Sequence, residues 1–249
     1  MRYFLKLAYN GSNYHGWQIQ DNAPSVQETI NKAISTQTGS EINLSGCGRT
    51  DTGVHAEEFY AHFDLEKTIV NRENFVYKLN NFLPSDIVIF ELIPVSPEAN
   101  ARFDAISRTY KYYITKRKNP FRNDQAYTIF GDIDISAMNK AAEILKEYTD
   151  FTSFSKLHTQ VKTNNCKITE AYWKQENDLL VFTITADRFL RNMVRAIVGT
   201  LLEIGKGKSE IENLRKIIDI KDRSKAGFSV PAQGLFLTNI QYPKTIFKS

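Results

Sequence analysis

Near the start of the chain, Tyr3, Leu5, Leu7 and Tyr9 alternate with Phe4, Lys6 and Ala8, and the run closes on Asn10-Gly11. Period two ending in a turn dipeptide predicts a strand. A loop holding Tyr14, His15, Gly16 and Trp17 follows. Ser25 and Glu28 are spaced as a capping box, and Val26, Ile30, Ala33 and Ile34 share one face of the helix it would open, which ends near Gly39. Further on, Phe59, Ala61, Phe63 and Leu65 alternate with Tyr60, His62 and Asp64, a second half-buried strand. Phe75, Leu79 and Phe82 mark a helix stopped by Pro84, and 87–95 reads as a strand broken by Pro94 and Pro97.

The later sequence repeats this plan. A long strand runs through Arg108-Thr109-Tyr110-Lys111-Tyr112-Tyr113, and Met138, Ala141, Ala142 and Leu145 carry the apolar stripe of a helix. The runs 168–173 and 179–185 flank Asn177-Asp178, which predicts a hairpin. A further helix is expected from about Phe189 towards Gly205. Ser209 with Glu212 suggests a second capping box ahead of Leu214, Ile217 and Ile218, and 234–240 closes the chain as an apolar run. Strands and helices mix without strict βαβ alternation, so the expected class is α+β with a mixed, mostly antiparallel sheet flanked by helices. Two comparable parts are expected, an N-terminal half at 1–100 and a C-terminal half at 101–249, with a cleft between them.

Composition narrows the possibilities. With 42% apolar, 24% charged and 12% aromatic residues, the chain belongs to the globular class. No apolar run approaches the roughly 18 residues needed to span a bilayer, and MRYFLKLAYN has no signal-peptide apolar region, so a cytoplasmic location is expected. The two cysteines, Cys47 and Cys166, are too few for a disulfide framework. Cys47, His55 and His62 lack zinc-site spacing, and no metal site is expected. The formal charge of +4 is compatible with a polyanionic partner. Two groups concentrate it: Lys116, Arg117, Lys118 and Arg122 beside Pro120 and Phe121, and Lys206, Lys208, Lys221, Arg223 and Lys225. Either group alone is more often a solvated surface than a binding site.

The stretch GCGRTDTGVHA at 46–56 holds the densest candidate chemistry. It is not a phosphate loop. A dinucleotide fingerprint would place a third Gly where Asp51 stands, a P-loop would have Lys where Arg49 stands, and a strand pattern follows rather than a helix. What remains is an Asp on a Gly-rich turn with an Arg two residues earlier. Side chains at i and i+2 share a face in extended backbone, so Arg49 and Asp51 can project into one space. A carboxylate beside a guanidinium suits a nucleophile or base rather than a general acid. The alternative is a surface turn in which Asp51 bonds its own backbone.

Two further groups stand out. Arg188, Arg191 and Arg195 fall at i, i+3 and i+7 of the helix expected from Phe189, either a solvated face or a guanidinium stripe for phosphate or carboxylate. Tyr110 and Tyr112 share a strand face behind Arg108 and can stack a base or fill a core.

Taken together, Tyr14-His15-Gly16-Trp17-Gln18, GRTDTGVHA, Ser107-Arg108-Thr109-Tyr110-Lys111-Tyr112, FLRNMVRAIVG at 189–199 and Val230-Pro231-Ala232-Gln233-Gly234-Leu235 resemble the tRNA pseudouridine synthase A family over nearly the whole chain. Several ordered motifs are far more specific than one. The resemblance implies isomerisation of uridine to pseudouridine at positions 38 to 40 of the tRNA anticodon stem-loop, without metal or organic cofactor. It implies that Asp51 is the catalytic aspartate, that Arg49 displaces and holds the target nucleotide, that Tyr110 contacts the uracil and that Arg195 pairs with the aspartate. It also implies a pseudouridine synthase fold with a central basic cleft, and a homodimer that binds tRNA. Thr52 stands where the family usually has Ala, and Lys225-Ala226-Gly227-Phe228-Ser229 departs from the family's approach to the Pro-Ala segment.

Overall fold

The computed structural model describes residues 1–156 and 162–247, which fall into two compact units, Met1–Ser107 with the C-terminal segment from Leu237, and Arg108–Phe236. In the first unit the elements run β1 (Arg2–Tyr9), α1 (Val26–Thr38), β2 (Ser45–Gly46), β3 (His55–Asp64), α2 (Arg72–Phe82) and β4 (Ile87–Val95). β1 is central, antiparallel to β3 on one side and to β4 on the other, with β2 paired to β3. Its covered position explains why Phe4 is as buried as Leu5 and Leu7 despite the alternating pattern. Pro94 sits within β4, an outer strand, where a missing N–H costs no ladder bond. Ser25 accepts the Glu28 N–H at 3.2 Å and opens α1, and Gly39 closes it in the left-handed region at φ 67°. Asn71 caps α2 in the same way, through the Asn74 N–H.

The second unit contains β5 (Ser107–Thr115), β6 (Tyr127–Thr128), α3 (Ile135–Ile144), β7 (Ile168–Glu176), β8 (Leu179–Ala186), α4 (Met193–Gly205) and α5 (Asn213–Ile220), and β9 (Leu235–Gln241) follows. β8 lies between β5 and β7, antiparallel to both, and all of its residues are buried. β7 instead alternates, since one of its faces is solvated. Asn177 turns the hairpin at φ 53°, a left-handed position that Asn tolerates better than most residues. The short β6 pairs parallel to β5, and α3 packs on β7. The architecture is α+β, with a mixed, mostly antiparallel sheet flanked by helices, as expected. Among the described residues, no helix is long and apolar enough to cross a membrane.

From Leu237 the chain belongs to the first unit. Glu58 of β3 accepts the Ile240 N–H at 3.1 Å, and Tyr242 meets Phe4 edge-on at 5.5 Å. No local pattern announces this return.

Two expectations are corrected. α4 begins at Met193, not Phe189, because Asn192 takes φ 67° and ψ 0° and breaks the helical path. Arg188 and Arg191 therefore precede the helix and do not form a stripe with Arg195. The Ser209–Glu212 capping box also does not form. Ser209 Oγ accepts from the Asn213 side chain at 3.0 Å, and α5 begins only at Asn213, with Glu212 making no side-chain cap.

Candidate active site

The turn at 46–54 is held by the segment before α1. Trp17 donates its backbone N–H to the Thr50 carbonyl at 3.4 Å, and Gly53 donates to the Tyr14 carbonyl at 3.3 Å. Gly16, at φ 94°, runs so close to the Thr50 carbonyl that a Cβ would lie 2.3 Å from its oxygen. The Trp17 ring stacks on Phe59 with centroids 4.1 Å apart, next to Tyr9, whose hydroxyl shares a 2.9 Å hydrogen bond with Thr50 Oγ1. On the far side, Val54 N–H closes a turn onto the Asp51 carbonyl at 3.1 Å, with Gly53 in its third position at φ 76°. His55 Nδ1 accepts the Gly11 N–H at 3.1 Å. The Tyr14-His15-Gly16-Trp17 motif is thus the support on which the Gly-rich turn rests.

This support decides which way the side chains face. Thr50 is buried, while Arg49 is exposed and Asp51 part-exposed, the alternation expected of an extended segment whose middle residue points inward. Arg49 and Asp51 thus belong to one short, well-braced stretch of the first unit.

Tyr110 and Arg195 belong to the second unit, on β5 and α4. Tyr110 is part-exposed and meets Phe189 edge-on, ring centroids 5.1 Å apart. Tyr112 separates from it in role. It is fully buried and donates its hydroxyl to the Pro231 carbonyl at 2.8 Å. Burial pushes its phenol above the ordinary tyrosine value, against the opposing pull of Arg195. Arg195 Nε donates to the neighbouring Val230 carbonyl at 2.7 Å, and Val230 N–H returns to the Arg195 carbonyl at 3.2 Å. Consecutive carbonyls of the Val230-Pro231 segment therefore hold Arg195 and Tyr112.

The loop before that segment is fixed to α4. A Cβ on Gly199 would lie 1.8 Å from the Phe228 carbonyl oxygen, and Gly227 N–H donates to Thr200 Oγ1 at 2.8 Å. Asn192 Nδ2 donates to Ser229 Oγ at 2.6 Å, and Arg223 reaches the same hydroxyl at 2.8 Å. The stretch Gly227–Ser229 is thereby bound to the start and middle of α4. Sequence reasoning missed Gly199, although a lone Gly within a helical pattern marks a close packing contact.

Cys47 is buried, and the His62 Nδ1 accepts the Ala101 N–H at 3.2 Å. Among the described residues no group of three metal-binding side chains stands together.

A family model described as tRNA pseudouridine synthase matches residues 141–243, which include the Arg195 helix and the Val230-Pro231 segment. Curated relatives match nearly the whole chain. The chain is 54% identical to a tRNA pseudouridine synthase A of Parabacteroides distasonis over 99% of its own length and 98% of the relative's. It is 55% identical to a tRNA pseudouridine synthase A of Bacteroides thetaiotaomicron, covering 99% of this chain and 92% of that one. Similarity extends to a tRNA pseudouridine synthase A 2 of Clostridium tetani, 40% identical over 96% and 97% of the two chains.

Proposed function

Because the chain belongs to the tRNA pseudouridine synthase A family, we propose that it isomerises uridine to pseudouridine in the anticodon stem-loop of tRNA, by covalent catalysis with Asp51 and without metal or organic cofactor. The observation that carries this reading is the braced extended segment in which Thr50 is buried and Arg49 and Asp51 face outward.

A uridine in a stem must leave the stack before its glycosidic bond is accessible, at a cost of a few kcal/mol. Arg49, exposed and two residues from the carboxylate, is the group proposed to occupy the vacated space and hold the displaced nucleotide. The Asp51 carboxylate then forms a bond to the uracil ring or to ribose C1′, and the bond between N1 and C1′ breaks. The base rotates, C5 bonds to C1′, the C5 proton leaves to water, N1 takes up a proton in exchange and the carboxylate is released. Either adduct satisfies this balance. Tyr110 is assigned to the uracil and Arg195 to the charge of the reacting carboxylate. The Val230 and Pro231 carbonyls act through Arg195 and Tyr112, as positioning groups.

The test uses tRNA carrying tritium at uracil C5. The protein releases label, and Asp51→Asn binds the same tRNA and releases none. Normal release by that variant removes Asp51 from its role, and no release by the native protein removes the activity. The homodimer is part of the same proposal, and an active complex whose sedimented mass holds only one protein copy removes it.

A further inference from the structure

The loop after β5 combines charge and an exposed ring in a way the fold does not require. Lys116, Arg117, Lys118 and Arg122 stand within seven residues, and Phe121 among them is 88% exposed. Acidic groups are few here. Asp178 pairs with Arg117 at 3.7 Å, and Asp124 follows in sequence.

Both ends of the loop are fastened. Thr115, buried, donates its hydroxyl to the Arg117 carbonyl at 2.9 Å, and its own carbonyl accepts Ile129 N–H at 2.9 Å. Beyond the tip, Asn119 Oδ1 accepts the Phe121 N–H at 3.0 Å, and the Asn119 carbonyl accepts Arg122 N–H at 3.1 Å. The Arg122 carbonyl accepts Ala126 N–H at 3.0 Å, and Ala126 is buried against Leu179 and Val181. Pro120 fixes the backbone just before the ring. The loop thus displays Phe121 on a preset turn, so little conformational freedom is lost when the ring meets a ligand.

We propose that residues 116–122 form a docking element for the substrate tRNA, in which Phe121 stacks on an unpaired base while Lys116, Lys118 and Arg122 contact adjacent phosphates. This rests on the reading that tRNA is the substrate. Base stacking on an aromatic ring inside a cationic strip is the chemistry of single-stranded nucleic-acid recognition. A membrane surface would instead be met by a broad apolar face, and here one ring stands among four cations.

The experiment measures equilibrium tRNA binding over a salt series, with steady-state kinetics alongside, on the full chain. Phe121→Ala weakens binding and raises KM about tenfold, the scale of one lost base stack, and leaves kcat and the unfolding temperature unchanged. Phe121→Trp restores binding. Lys118→Gln lowers the slope of log affinity against log salt by about one. Native affinity in Phe121→Ala, or failure of Phe121→Trp to restore it, overturns the proposal. So does a Phe121→Ala variant that keeps tRNA affinity but loses adhesion to phosphatidylglycerol vesicles, which identifies a membrane contact. Binding is read independently of turnover, so a protein that binds tRNA without forming pseudouridine defeats the catalytic reading and leaves this one standing.

Discussion

Gly16 lies against the Thr50 carbonyl, at φ 94°, and leaves no room for a Cβ, which would stand 2.3 Å from that oxygen. Thr50 is the residue between Arg49 and Asp51, so the backbone of the segment around Asp51 takes its position from a glycine more than thirty residues earlier. Gly16→Ala must either push the turn away or strain its own backbone. We expect a loss of about 1–3 kcal/mol in stability and, if Asp51 is the reacting group proposed, a fall in kcat of about 10- to 100-fold as its carboxylate shifts. Gly48→Ala is the control, because a Cβ there meets nothing within 4 Å and its unfolding midpoint should match the native protein's. Denaturant unfolding and single-turnover kinetics on both variants check this.

Arg49 is exposed and has its proposed role in the nucleotide rather than in the fold. Arg49→Ala should therefore keep the native unfolding temperature while lowering the rate of pseudouridine formation by about 100-fold, the scale of a lost positioning group. Arg49→Lys should recover only part of that rate, since a point charge does not replace a planar fork. Rates measured at saturating tRNA separate this effect from weaker binding.

Much of the first unit is legible in the sequence because β1 and β3 show apolar positions at period two, from Tyr3 to Tyr9 and from Phe59 to Phe63. The limits of the local pattern appear where one residue overrides a spacing. The arginines at 188, 191 and 195 keep helical intervals, yet the left-handed Asn192 starts the helix only after two of them. Ser209 and Glu212 keep the capping interval, yet Ser209 is engaged by the Asn213 side chain. Contacts distant in sequence leave no periodic trace. Neither the Gly16 approach to Thr50 nor the return of Leu237 onward to the first unit could be read from spacing. The motifs named Arg49, Asp51, Tyr110 and Arg195, but the carbonyls that hold Arg195 and Tyr112 emerge only from the fold.

Gly199 provides the matching test in the second unit. Its missing side chain lets the Phe228 carbonyl approach α4, and the same loop continues to Val230, which holds Arg195. Gly199→Ala should cost about 3 kcal/mol through overpacking. Thr200→Val keeps the volume but leaves the buried Gly227 N–H without its acceptor, for a loss of about 1–3 kcal/mol. If the loop positions Arg195, both variants lower kcat beyond any loss of folded protein. Urea unfolding with activity normalised to the folded fraction separates the two effects.

His62 links stability to pH through a buried acceptor. Its ring is 7% exposed, lies 6.0 Å from Phe4, and accepts the Ala101 N–H through Nδ1 at 3.2 Å. Burial, and then the Arg2 charge, hold its pKa below the ordinary 6.5, against Asp64 and Asp104, which pull it upward. Protonating Nδ1 would also remove the acceptor that Ala101 uses. Between about 6.5 and the lower folded value, the unfolded chain binds a proton that the native state refuses. Stability is therefore full above about pH 6.5 and declines as pH falls through that window, levelling once the folded histidine also titrates. His62→Gln retains a side-chain acceptor without the titration. The difference in unfolding free energy between native protein and variant should then change with pH only below about 6.5, and urea titrations at closely spaced pH values read that slope directly. A difference that stays flat from neutral pH into the acid range removes His62 as its source.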